Sequence, residues 1–86
     1  VNDELDESFA LELHMPIAHV WLKIRKTYGQ AQWTKMTNQE KIDLCVDFDQ
    51  LTNHGYQRAD RLLHRAVDLH GRQTVMSFLS RTIKLP

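Results

Sequence analysis

One cysteine in 86 residues excludes an internal disulfide, so packing alone must hold this chain together. That residue, Cys45, stands between Leu44 and Val46 and reads as an inert core thiol. Three glycines and two prolines are too few for a linker-rich, collagen-like or low-complexity chain, and neither an internal repeat nor an interior linker is visible. No apolar run approaches the roughly 20 residues that cross a bilayer, and the first residues are acidic where a secretory signal is basic. The expected setting is cytoplasmic, with no membrane partner. Five histidines (His14, His19, His54, His64 and His70) never fall at H-x3-H spacing, so neither a metal site nor a cofactor is expected. Asp60, His64 and Asp68 step by four and could orient an imidazole, but no nucleophile accompanies them, and no catalytic residue is assigned.

What is present is a division of charge. Positions 1 to 50 carry nine acids against five bases, and positions 51 to 86 carry two acids against six, for a net charge of zero. Separated fields of opposite sign steer partners while saying little about fold. The composition, 42% apolar and 26% charged, is that of one globular domain, which at this length buries about 60 to 65% of the surface of its unfolded chain.

The periodicity predicts an all-α domain of four to five short helices over 8–86, preceded by a flexible acidic leader at 1–7. Phe9, Leu11, Leu13 and Met15 alternate as in a short strand over 9–15, whereas Leu5, Phe9 and Leu13 fall at helical spacing. Helix is preferred, because a lone strand needs a partner. Pro16 is suited to open a helix at its first position, with Ile17, Val20, Trp21, Ile24 and Tyr28 as its inner stripe and Gly29 as its stop.

A polar connector holding Trp33 follows, and Thr37 with Glu40 then forms a capping box. The helix it opens is expected to reach about Thr52, its Ile42, Leu44, Cys45, Val46, Phe48 and Leu51 covering more than one face. Such a helix is central. After a turn at Asn53-His54-Gly55, a helix runs from Tyr56 to His70, with Ala59, Leu62, Leu63, Ala66, Val67 and Leu69 inward. Gly71 stops it, and Val75, Phe78, Leu79, Thr82 and Ile83 mark a last helix.

Two charged faces are the candidate binding surfaces. Arg58, Arg61 and Arg65 step along one polar face, Arg72 continues the line, and guanidinium forks of this kind grip carboxylates or phosphates. The acidic counterpart comprises Asp3, Glu4, Asp6 and Glu7 in the leader and Glu40, Asp43 and Asp47 on the central helix. If the two helices fold antiparallel about His54, Asp43 meets Arg65 and Asp47 meets Arg61, and the stripes become an internal seam. Gln73, Thr74, Ser77, Ser80, Arg81 and Lys84 of the last helix include no acid and could serve groove recognition. Aligned as a helix-turn-helix, however, the segment puts His70, Arg72 and Ser77 where apolar residues belong. Trp33 either closes the core or is displayed as an anchor, while His54 and His70 suit helix ends. The stretch Trp21 to Thr34, with Tyr28-Gly29 followed by Trp33-Thr34, resembles the N-terminal parts of some phage replication proteins. It covers fourteen residues and is not counted as a family assignment; it implies a partner in nucleic-acid metabolism.

The expected function is therefore non-enzymatic: an adaptor or inhibitor that binds another protein through segregated acidic and basic faces, the partner itself processing nucleic acid. The alternative is a small DNA- or RNA-binding regulator using the basic second part, with a small enzyme third. The broad apolar surface of the central helix also leaves room for a homodimer.

Overall fold

The structure, a computed structural model, describes residues 5–46 and 50–85. The described residues form helices in the order α1 (Glu7–Tyr28), α2 (Gln30–Lys35), α3 (Asn38–Val46), α4 (Gln50–Asn53), α5 (Gln57–His70) and α6 (Arg72–Thr82). The all-α class holds, and the described residues contain no strand. The element not expected is the six-residue α2, in the connector that holds Trp33.

The longest helix corrects the reading of its own start. Helix α1 begins nine residues before Pro16, so the proline lies inside it rather than at its first position. Pro16 has no N–H to offer the Glu12 carbonyl. The helix nevertheless runs through, because Phe9, Leu13, Ile17 and Val20 form one buried stripe that continues across the proline, and Pro16 is itself buried in it. Residues 9–15, the strand alternative, lie wholly within this helix. Part of the expected leader is also structural: the Asp6 carboxylate accepts a hydrogen bond from the Phe9 N–H at 3.0 Å, capping α1. Glu7 then supplies the negative charge of the first turn, and Leu5 packs against the core. Asp3 and Glu4 lie outside the described residues.

Gly29 and Gly71 each separate two helices by a single residue. Both have φ +88° with ψ near +150°, a conformation available to glycine and scarcely to anything with a Cβ. At Gly71 the N–H donates to the Val67 carbonyl (2.8 Å) and the carbonyl accepts from the Val75 N–H (3.2 Å), so one residue ends α5 and begins α6. Gly29 does the same between α1 and α2, with bonds to Arg25 and Trp33.

The core gathers Leu13, Ile17 and Val20 of α1, Ile42 and Cys45 of α3, Leu51 of α4, Leu63 of α5, and Val75 and Leu79 of α6. Helix α3 packs against α1, α4 and α6, as a central helix should. The single helix expected from Thr37 to Thr52 is described as α3 and α4; Phe48 and Asp47 lie between them, outside the described residues. Three side chains assigned inward face solvent instead: Tyr28 at the end of α1, Leu69 at the end of α5 and Thr82 at the end of α6. Each sits in the final turn of its helix.

Candidate functional site

The arginine stripe is the feature from which a site can be built. Helix α5 is strongly amphipathic: Ala59, Leu63 and Ala66 are buried, and Arg58, Arg61 and Arg65 stand exposed on the other side. Helix α1 packs beside α5, and between them lies an open cleft of about 330 Å³. The three arginines form one rim, half-buried Leu62 and the edge of Phe9 supply an apolar floor, and Asp6, Ser8 and Glu12 form the facing rim. Arg58 Nη2 donates to Glu12 Oε1 across the cleft at 3.1 Å. Arg65 is also engaged, and Arg61 makes no ion pair among the described residues.

The expected seam between the central helix and α5 does not form as drawn. Asp43 pairs with Arg72 at 2.6 Å, not with Arg65. The reason is topological. Helix α3 lies against α6, so its acids meet the start of α6, while α4 and the turn at Gly55 carry α5 away toward α1. The proposed Asp47–Arg61 contact falls outside the described residues. Arg72 therefore leaves the arginine line: the Gly71 turn redirects it onto α3.

Glu40, assigned to the acidic face, belongs to the capping box. The Thr37 N–H donates to Glu40 Oε1 at 2.9 Å and the Glu40 N–H donates to Thr37 Oγ1 at 3.1 Å. The bond from the Thr37 backbone, followed by that with its side chain, holds the Glu40 carboxyl below the ordinary carboxylate value.

Trp33 is not a displayed anchor. It is 3% exposed and meets Trp21 edge-to-face with ring centroids 4.5 Å apart, while the Lys41 ammonium lies about 5 Å from both rings. The indole N–H of Trp21 is buried there without an acceptor among the described residues.

No family model, curated protein or solved structure matches this chain. The site must therefore be read from its chemistry. Burial raises the Cys45 thiol to about 12, which leaves it protonated and unreactive at neutral pH. His64 Nδ1 lies 3.2 Å from Asp60 Oδ2, the pairing anticipated from their spacing, and both remain on one face of α5. At the junction of α1, α4 and α5, the Tyr56 hydroxyl and His19 Nδ1 share a hydrogen bond at 2.9 Å and His54 meets His19 edge-on. His54 Nδ1–H also donates to the Gln50 carbonyl, closing α4 as a helix-end histidine should. Among the described residues, no three potential metal-binding side chains gather.

Of the acid-free face expected on the last helix, Gln73, Thr74 and Arg81 are exposed on α6, Ser77 and Ser80 are half-buried, and Lys84 is exposed beyond the helix end. Two of these residues also hold structural bonds through their backbone carbonyls. Asn38 Nδ2 donates to the Ser80 carbonyl at 2.6 Å, and His14 Nε2–H donates to that of Lys84 at 3.3 Å, tying the C-terminal segment to α1. A helix-turn-helix connects its two helices through three or four residues, whereas a single glycine joins α5 to α6. What the sequence did not mark is the facing wall of the arginine cleft. Asp6 and Glu12 were visible as charges, but nothing local says that α1 lies against α5.

Proposed function

We propose that this protein is a non-enzymatic binding module, an adaptor or inhibitor, that holds an acidic segment of another protein in the cleft between α1 and α5. The observation carrying this reading is the composition of the cleft: Arg58, Arg61 and Arg65 on one rim above an apolar floor at Leu62. Guanidinium groups bind carboxylates through paired N–H donors, and an apolar floor accepts a side chain beside them. The facing carboxylates Asp6 and Glu12 repel a continuous phosphate backbone but leave room for a segment whose acids point to one side. A partner that processes nucleic acid, and a cytoplasmic setting in which the lone thiol stays reduced, belong to the same proposal.

The acid-free surface of α6, with Arg81 exposed on it and Lys84 exposed just beyond its end, favours the second reading, a nucleic-acid-binding regulator. One experiment separates the two. The chain and its Arg61→Glu and Arg81→Ala/Lys84→Ala variants are used for affinity capture from the native cell, with and without nuclease. On the leading reading a captured protein survives nuclease, is lost with Arg61→Glu and is retained by the α6 variant. Capture that disappears with nuclease and follows Arg81 and Lys84 overturns it in favour of the second.

A further inference from the structure

Helix α1 is apolar on two opposite sides. Its inner stripe is the core; its outer one consists of Leu11, Met15, Ala18 and Leu22, spaced by four, three and four. At 3.6 residues per turn these four lie within a narrow band on the side away from Leu13, Ile17 and Val20. Leu11 is 69% exposed, Met15 72% and Leu22 43%, with Ala18 half-buried among them, so the described residues leave much of this stripe open to solvent. A helix of one folded domain needs one apolar stripe, and the second is the four-three spacing of a helix-pairing seam.

We infer that this stripe is an antiparallel homodimer interface, its occupant being α1 of a second copy. The charges at the two ends select that partner and that direction. Asp6 and Glu7 stand at the start of α1, and Lys23, Arg25 and Lys26 at its end. Antiparallel pairing about a two-fold axis between Met15 and Ala18 sets Leu11 against Leu22 of the second copy and Met15 against the small Ala18. It also brings Glu7 beside Arg25 of the second copy, twice by symmetry. Parallel pairing would instead set acid on acid and base on base, with helix dipoles aligned in repulsion. A surface depression of about 440 Å³ lined by His19, Leu22, Lys23, Arg25 and Lys26 flanks the Leu22 end of the stripe, where the second copy's Leu11 arrives. The arginine cleft borders α1 through Phe9 and Glu12, on another side of the helix, so the dimer carries two such clefts.

Sedimentation velocity over a concentration series up to about 1 mM tests the interface, that being the range in which weak association is seen. The chain should show a reversible monomer–dimer equilibrium. Met15→Glu, at an exposed site, should weaken dimerisation about a hundredfold or more while its thermal unfolding stays that of the native monomer. Orientation is read by oxidative cross-linking: Leu11→Cys mixed with Leu22→Cys should give the mixed disulfide in preference to either symmetric one, Cys45 being buried and inert. A monomer throughout the series, a dimer indifferent to Met15→Glu, or a dominant symmetric cross-link at position 11 would each overturn the inference. The first of these would assign the stripe to a different protein or to another segment of a longer chain.

Discussion

Individual residues in this molecule divide by whether their partner is near in sequence. Thr37 and Glu40 bond one another three residues apart, and the box was legible because its chemistry is local. Thr37→Ala should cost about 1 kcal/mol in chemical denaturation at neutral pH. The Glu40 carboxyl is held below its ordinary value of 4.5, so its contribution is complete above that value and is lost as pH falls through the lower folded-state value. Glu40→Gln should accordingly flatten the acid limb of the stability profile below pH 4.5 and leave the neutral region nearly flat. An unchanged acid limb would show that the box does not hold the carboxylate. Trp33 is the opposite case. Its surroundings in sequence are polar, and only the long-range approach of Trp21 and Lys41 makes it core. Trp33→Ala should therefore destabilise by about 3 to 5 kcal/mol, as truncation of a buried aromatic does, and any loss of binding should follow loss of fold.

Elements were legible where punctuation or period was clean, and misread where two signals overlapped. The Gly29 and Gly71 stops were visible, and the φ of +88° at each explains why glycine is there. Gly71→Ala should cost of order 1 to 3 kcal/mol, measured by thermal or denaturant unfolding. An added Cβ would meet nothing within 4 Å, so that cost is purely one of backbone conformation. A variant as stable as the parent would mean that the α5–α6 junction relaxes into another geometry. The start of α1 shows the other outcome. Phe9, Leu11, Leu13 and Met15 alternate like a strand because they sample two opposite helical stripes: Phe9 and Leu13 enter the core, while Leu11 and Met15 face out. Offset by two residues, two helical stripes are locally indistinguishable from a period of two. The signal that resolves them is the longer run through Ile17 and Val20 across Pro16, a residue equally suited to a helix start. Helix α2 left no signal at all, since it buries one side chain in six residues.

At the scale of the whole molecule, the division of charge along the chain is partly closed up in space. The ion pairs Glu12–Arg58 and Asp43–Arg72 each join an acid from the first part to a base from the second, across the α1–α5 and α3–α6 contacts. Opposite fields written into the two parts of the sequence thus favour their docking, and only the remainder is left for partners. The antiparallel seam expected between Asp43 and Arg65 had the right principle and the wrong neighbour, because pairing partners depend on which helix follows α3 in space and not in sequence. A double-mutant cycle distinguishes the two arrangements. Asp43→Ala combined with Arg72→Ala should be non-additive by about 0.3 to 1 kcal/mol, the coupling of a half-exposed pair, whereas Asp43→Ala with Arg65→Ala should be additive within about 0.3 kcal/mol. The first coupling should shrink in about 1 M salt, where the screening length falls to about 3 Å. Coupling to Arg65 in place of Arg72 would return the arginine stripe to an internal role and empty the α1–α5 cleft of its function.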